Sequence, residues 1–214
     1  MTPARIGVVV GLEAEARLAR AWGIPVAVGG GTSAGAETAA AGLVHSVQAL
    51  VSFGLAGGLD PALRPGTILV PSYISSSHGT HWYTDTDLNE LLGGCTGHTL
   101  LGDGTILATI QAKQDARSHG FDAVDLESAA VAAIAQRHGL PFAVLRAVCD
   151  PADRSLPRAA LVALDVTGRI GGLRVLAAAL SNPTELPALI ALALDANRAR
   201  RALRQRVGGT TLRH

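Results

Sequence analysis

Short apolar segments that alternate with Ala-rich helical segments constrain the fold of this chain more than any other feature. The first, RIGVVV at 5–10, is β-branched and stops at Gly11, as is typical of a buried strand. Strong helix formers follow over 12–22, and the alternation continues to residue 149. Strands that are apolar on both faces need helices on both faces. The sequence therefore predicts a three-layer α/β/α fold.

The pattern predicts the other elements along the chain. Strands are expected at 24–28, 49–53, 67–73, 121–125 and 141–149, and helices at 33–48, 106–119, 127–138 and from 157 to about 206. The stretch 75–104 is polar, rich in glycine and irregular. No Pro/Ser linker divides the chain and no repeat is evident, so we expect one domain over 1–214 with extra C-terminal helices.

Charge and composition exclude several classes of protein. The net charge of +1 gives no general attraction to nucleic acid. Two cysteines make no disulfide framework, and no targeting segment is evident, so we expect a cytoplasmic protein. The charge-free stretch at 186–194 is too short to span a bilayer. The spacing of the histidines with Cys95 matches no zinc pattern, and we expect neither a metal nor a cofactor.

Acidic residues follow several of the predicted strands. Glu13 and Glu15 follow the first strand, while Glu127 and Asp150 follow later ones. The carboxyl ends of parallel strands form the binding edge of such a sheet. Each acid could instead stabilise the N-terminus of a helix through its dipole, and the residues alone leave both interpretations open.

Four segments resemble, in order, motifs of one enzyme superfamily. They are GLEAEA at 11–16, SFGLAGGL at 52–59 with LRPGTILV at 63–70, VDLESA at 124–129, and RAVCDPAD at 146–153. They are similar to motifs of the purine nucleoside phosphorylase and methylthioadenosine/adenosylhomocysteine nucleosidase superfamily. The resemblance implies its fold, with a mixed central sheet, and cleavage of the N-glycosidic bond of a small-molecule nucleoside. It also implies a homo-oligomer, since members are commonly dimers or hexamers.

A narrower resemblance extends over nearly the whole chain. The opening VGLEAEARLAR, the segment DPADRSLPRAAL and the C-terminal LPALIALALDANRARRAL look like the hopanoid-associated phosphorylase branch. That branch is implied to release adenine from adenosylhopane. Two alternatives are a methylthioadenosine/adenosylhomocysteine nucleosidase and a catalytically inactive nucleoside-binding module.

The resemblance assigns roles to residues of this sequence. It makes Asp150 the acid that protonates the purine at N7, Glu127 the ligand of the ribose hydroxyls and Glu15 the base that activates water. Leu126 replaces a methionine of the family under the ribose. The remaining substrate-binding residues implied are Leu55, Ala56, Gly57, Thr105, Ile106 and Asp125.

The attacking group distinguishes hydrolysis from phosphorolysis. Glu15 favours water, because a hydrolase needs a carboxylate base. Phosphate would need arginines, for which Arg17 and Arg64 are the candidates. The residues favour hydrolysis slightly and leave phosphorolysis open.

Two positions depart from the family pattern and concern substrate identity. Leu55 stands where the nucleosidases have serine, and Thr105 stands where they have a phenylalanine that stacks on the purine. An aromatic face for the base is thereby lost.

A lipid-like substituent would need an apolar groove. Tyr73, Trp82 and Tyr83 either line its mouth or pack as ordinary aromatics. The arginines at 198–206 follow the apolar run 186–194, so a basic amphipathic helix is expected there. Such a helix can bind an anionic membrane surface or pack on the domain with its basic face in water.

Overall fold

A computed structural model describes residues 5–102, 104–163 and 183–210. In this part of the chain the strands are β1 (Ile6–Val10), β2 (Val26–Val28), β3 (Ala49–Gly58), β4 (Ile68–Leu69), β5 (Tyr73–Ser75), β6 (His81–Tyr83), β7 (Leu100–Gly102), β8 (Ala123–Asp125) and β9 (Phe142–Asp150). The helices are α1 (Glu13–Ala19), α2 (Ser33–Leu43), α3 (Thr86–Leu91), α4 (Ile110–Ser118), α5 (Ser128–Arg137), α6 (Arg158–Ala163) and α7 (Leu186–Gly209).

The strands form one mixed sheet. Its order is β2-β1-β3-β8-β7-β5-β6, and β9 pairs with β3 and β4. The long strand β3 runs parallel to β1 and β9, while its last residues, Gly57 and Gly58, pair antiparallel with β8. Four strands that come from distant parts of the sequence therefore end close together around the second half of β3.

Helices cover both faces of the sheet, as predicted. Within β1, Val8 and Val10 point to one core, which α1 and α7 complete, while Val9 points to the core formed with α2 and α5. Successive side chains of a strand alternate between faces, so an uninterrupted apolar strand supplies both cores. This confirms the α/β fold with helices on both sides of a mixed sheet.

Several element boundaries differ from the predictions. The helix expected from residue 106 begins at Ile110, because Thr109 caps it by accepting the N–H of Ala112. The strand expected at 67–73 is divided between β4 and β5, and the stretch 75–104 contains β6, α3 and β7. Of the C-terminal helices, α6 and α7 are observed, whereas 164–182 lies outside the described residues.

The length and polarity of the helices bear on membrane insertion. Over the ranges that the structure describes, no helix is both long enough and apolar enough to cross a bilayer.

Candidate active site

A cavity of about 460 Å³ lies where β1, β3, β8 and β9 end. All ten residues that the sequence predicted for the site line it: Glu15, Leu55, Ala56, Gly57, Thr105, Ile106, Asp125, Leu126, Glu127 and Asp150. The strand-end rule for α/β sheets therefore predicted the location of this cavity. The roles of the individual residues stay predictions.

Glu15 is buried at the start of α1. Its Oε2 accepts the N–H groups of Gly11 at 3.1 Å and Leu12 at 2.9 Å, and its Oε1 accepts that of Leu55 at 3.0 Å. Burial raises the pKa of Glu15, and Arg146 and these backbone N–H groups oppose the rise. The carboxyl group thus caps its helix and also lines the cavity. Glu15 therefore fits both interpretations of the sequence, a residue that stabilises a helix N-terminus and a residue of the site.

Arg146 connects the acidic residues at the end of the cavity that Glu15 lines. It lies in β9, is 1% exposed, and donates from Nε to Asp125 Oδ2 at 2.5 Å. Its Nη2 donates to Ser52 Oγ at 2.8 Å and to Glu127 Oε2 at 3.2 Å. Asp125 in turn accepts the backbone N–H groups of Glu127 and Ser128. Asp125 therefore reaches the cavity wall with a carboxylate that is already engaged by the protein.

Glu127 is buried beside two other carboxyl groups, which affects its pKa. Burial raises its pKa to about 8, with Glu15 and Asp125 adding to the rise and Arg146 opposing it. Its side chain does not cap α5, a task that Asp125 performs. No capping hydrogen bond therefore supports the alternative that Glu127 serves to stabilise the N-terminus of α5. Its carboxyl group is available to the cavity.

Two glycines are required by the close approach of these side chains. A Cβ atom on Gly11 would overlap Glu127 Oε1, and a Cβ on Gly54 would overlap Arg146 Nη1 and lie 2.7 Å from Glu15 Oε1. Both glycines allow the backbone to approach buried charged groups that a larger residue would displace.

Asp150 lies at the other end of the site, at the end of β9. Its Oδ2 is 2.7 Å from Nζ of Lys113, which is 1% exposed on α4. Burial raises the pKa of Asp150, and the hydrogen bond and charge of Lys113 oppose the rise. Asp150 is thus a buried acid, and among the described residues Lys113 is the one cation in hydrogen-bond contact with it.

Helices α6 and α7 add an apolar wall to the cavity. This wall consists of Leu156, which precedes α6, of Ala160 and Leu161 in α6, and of Leu189, Leu192 and Ala193 in α7. Beyond it, α7 contributes Ala196, Asn197 and Arg200. The C-terminal helix therefore forms part of the site, whereas its later residues Leu203 and Val207 pack in the core.

The arginines at 198–206 do not form a single solvated face. Arg198 pairs with the buried Asp195 at 2.6 Å, Arg200 lines the cavity, and Arg206 donates to the backbone oxygens of Leu92 and Gly93. The basic part of α7 is thus used partly for packing on the domain.

Other candidates from the sequence lie away from the cavity. Arg17 is exposed, and Arg64 forms an exposed pair with Asp153 at 3.2 Å. Glu13 pairs with Arg20 at the surface. None of these side chains is among those that line the cavity.

The three aromatics proposed for a groove mouth are also elsewhere. Tyr73 and Tyr83 pair across β5 and β6, and Trp82 donates to Gln136 Oε1 at 3.0 Å. They pack as a small hairpin, and the described part of the cavity wall contains none of them.

Sequence reasoning assigned no role to Arg146 and Lys113. Arg146 carried a signal, because it is the one charged residue within the apolar segment FAVLRAVC, and a buried charge needs partners. Lys113 carried none, since a lysine in a polar helix ordinarily points to water.

Comparisons with known proteins agree with this geometry. The model of the family described as the phosphorylase superfamily matches residues 23–167. No curated protein matches the chain.

Solved structures with this fold are numerous. A methylthioadenosine/S-adenosylhomocysteine nucleosidase from Colwellia psychrerythraea, in complex with adenine, is 18% identical with a TM-score of 0.65, covering 84% of this chain and 96% of that one. An S-adenosylhomocysteine nucleosidase from Streptococcus pyogenes is 16% identical with a TM-score of 0.67, covering 98% of both chains. Futalosine hydrolase of Helicobacter pylori is 18% identical with a TM-score of 0.61, covering 70% of this chain and 89% of that one.

The family match spans more than half of the sequence and includes β3, β8 and β9, three of the four strands that end at the cavity. The chain therefore belongs to the phosphorylase superfamily, the group of nucleoside-cleaving enzymes that its motifs predicted.

Proposed function

We propose that this protein hydrolyses the N-glycosidic bond of a 5′-substituted adenosine and releases adenine. The observation that carries the proposal is the convergence of Glu15, Glu127 and Asp150, each buried, from three separate strand ends on one cavity. Buried acids with raised pKa values in a cleft are typical of catalytic sites.

The base end of the reaction is assigned to Asp150. As the C1′–N9 bond breaks, its electron pair stays with the purine, and a proton moves from the Asp150 carboxyl group to N7. A carboxylic acid can donate only while it is protonated, and burial favours the protonated form. Gly57 approaches this carboxyl group closely, since a Cβ there would lie 3.7 Å from Asp150 Oδ2.

The sugar end is assigned to Glu127 and Glu15. Glu127 binds the ribose hydroxyls, and the negative charge of this cluster stabilises the positive charge that develops on the sugar. Glu15 takes a proton from the attacking water while the water oxygen bonds to C1′. Its Oε1 accepts one N–H, that of Leu55, and retains a second lone pair for the water.

Water is favoured over phosphate by what surrounds Glu15. The N–H groups of Gly11, Leu12 and Leu55 converge on one point, and such groups bind anions. The chain's own carboxylate occupies that position. Arg146, the arginine beside Glu15, already donates to Asp125, Ser52 and Glu127, and the other arginine that lines the described part of the cavity, Arg200, extends from α7.

The apolar wall of the cavity supports a large apolar 5′ substituent. Leu189, Leu192 and Ala193 recur at the spacing of one helix face, next to Leu161 of α6. Together with the narrower sequence resemblance, this wall leads us to propose adenosylhopane as the substrate.

The test is the release of adenine by the purified protein. Adenosylhopane, 5′-methylthioadenosine and adenosylhomocysteine are each incubated with and without phosphate, and adenine is measured by chromatography. We expect release from adenosylhopane without phosphate. Release only with phosphate would show phosphorolysis, and faster release from the two small nucleosides would show the alternative nucleosidase. Binding without any release would identify an inactive module and overturn the proposal.

A further inference from the structure

Lys113 is an unusual residue in this chain. It is the only lysine in the sequence and is 1% exposed, although α4 is otherwise polar and contributes no other buried residue. Burying an ammonium group is costly unless it is paired and fully hydrogen-bonded. Its position therefore needs a compensating set of contacts.

Three contacts satisfy the ammonium group completely. Nζ lies 2.7 Å from Asp150 Oδ2, and it donates to the backbone oxygens of Pro151 at 2.8 Å and Arg154 at 2.7 Å. A lysine has three donors, so each is used. The contacts hold both Asp150 and the turn that follows it, and they leave no donor for a substrate.

These contacts give the two carboxylate oxygens of Asp150 different surroundings. Oδ2 faces Lys113, whereas Oδ1 accepts no hydrogen bond from any residue that the structure describes, and Asp150 lines the cavity. One oxygen is thus fixed by the protein while the other remains for a ligand.

We propose that Lys113 is the positioning residue of Asp150: it holds Oδ2 so that Oδ1 presents the proton to the purine, and it stabilises the carboxylate that remains after transfer. This inference rests on the proposed function. In the transfer, the O–H bond of Asp150 breaks, the N7–H bond forms, and the negative charge left on the carboxylate lies beside the positive charge of Lys113.

Other charged groups near Asp150 come from two further elements. Arg154, in the following turn, favours its ionised form, and Asp195 of α7 disfavours it. Cys149 precedes Asp150 in β9, and burial raises the pKa of its thiol to about 12, so it is neutral at physiological pH. Among these groups Lys113 is the one in hydrogen-bond contact with the carboxyl.

The first measurement is the pH dependence of adenine release by K113M. An opposite charge at this distance lowers the pKa of an aspartate by about 1–3 pH units. Asp150 must be protonated to act. Removal of Lys113 should therefore raise, by at least about 1 pH unit, the pH at which kcat falls on the alkaline side of its pH profile. We expect kcat at the optimum to fall about tenfold with KM little changed, because acid strength enters only the transfer step.

Two further variants control for folding. K113Q keeps a donor for the backbone oxygens, so it separates loss of charge from loss of structure. R117M removes a cation from the same helix that pairs with Asp60 and Asp122 at 2.6 and 2.5 Å and does not touch Asp150. The alkaline limb of the pH profile of kcat should shift to higher pH in K113Q and should be unchanged in R117M.

A second readout does not depend on activity. The Asp150 carboxyl carbon, identified by its loss in D150N, is titrated by NMR in the full-length wild type and in K113M. A higher pKa in K113M supports the inference, and an unchanged pKa together with an unmoved limb overturns it, leaving Lys113 a structural residue. If the wild type releases no adenine, the proposed function fails by itself, and the carboxyl titration alone then decides the inference.

Discussion

The two ends of the cavity hold their carboxyl groups in different ways. At the sugar end, three buried carboxyl groups, those of Glu15, Asp125 and Glu127, surround the single guanidinium of Arg146. At the base end, the carboxyl group of Asp150 faces the single ammonium of Lys113. Charges can balance at the base end, whereas full ionisation at the sugar end leaves an excess of negative charge.

Under the proposed function, this difference meets two opposite demands of the reaction. Burial raises the pKa of Glu127 to about 8, and Glu15 and Asp125 add to the rise. In the proposed reaction, the excess of acids favours the positive charge of a ribosyl transition state. In the proposed proton transfer, the negative charge left on Asp150 lies beside the ammonium group of Lys113. Under the proposed function, the same cavity thus holds an excess of acids for the sugar and a carboxyl group paired with a cation for the leaving base.

The largest expected effect comes from R146M, which removes the guanidinium group from the sugar end. This change leaves three buried carboxyl groups without their cation, and removal of one partner of a buried pair costs about 3–5 kcal/mol. Urea unfolding should show a loss of this size or failure to fold. R137M, which removes an exposed pair with Glu37, should change stability by less than about 1 kcal/mol. Equal stability of R146M and the wild type would show that the acids do not depend on Arg146.

At the base end, D150N tests the chemistry directly. A positioned general acid contributes about 10²–10⁴-fold to rate, so we expect kcat for adenine release to fall by that factor. Binding of an unreactive adenosine analogue, measured by calorimetry, should be retained.

The matched control for D150N is D153N, which removes an exposed carboxylate of the same turn. Its kcat should equal that of the wild type. If D150N retained full turnover, Asp150 would have no part in proton transfer, and the assignment of the base end would be wrong.

The pH dependence of stability tests whether the sugar end holds a proton. The pKa of Glu127 rises from its ordinary value of 4.5 to about 8 in the folded chain. Folded Glu127 therefore binds its proton more tightly than the unfolded chain does, and the free energy of unfolding falls as pH increases from about 4.5 to about 8.

The variant E127Q removes this contribution. Its unfolding free energy, measured in urea at several pH values, should fall less steeply than that of the wild type over the same range. Parallel curves would indicate that Glu127 is ionised throughout, with the excess proton of the cluster on another acid.

The smallest effect is expected at the apolar wall. This is the part of the cavity proposed to bind the 5′ substituent, whereas the sugar and base ends are polar. In L192A, KM for a 5′-thioadenosine with a long alkyl chain should rise about tenfold, since apolar contacts of this size contribute about 1–3 kcal/mol. KM for 5′-methylthioadenosine should stay unchanged. L194A, a change at a half-exposed position of the same helix outside the cavity wall, is the control. Equal changes for the long and short substrates would remove α7 from substrate selection.

Much of the fold was accessible from the sequence because its signals are local. The segment at 5–10 is apolar and ends at a glycine, and it forms β1 as predicted. The boundaries were less accurate where capping decided them, as at Thr109, or where short pairings divided a segment, as between β4 and β5. Such details depend on partners that lie elsewhere in the chain.

The C-terminal half of the site shows the limit of local patterns. The face of α7 that carries Leu189, Leu192 and Ala193 was recognised as apolar, but an apolar helix face fits a core, a membrane or a ligand equally well. Only its packing along β9 and beside α6 placed these residues in the cavity wall.

The sequence by itself determined the family, the carboxyl groups and the edge of the sheet at which they meet. Each of these follows from short motifs and from the geometry of parallel strands. Tertiary structure alone decided which cation each carboxyl group meets. Arg146 reaches Ser52 across 94 positions and Lys113 reaches Pro151 across 38. Contacts of that range depend on how whole elements pack, and they determine which acid retains a proton.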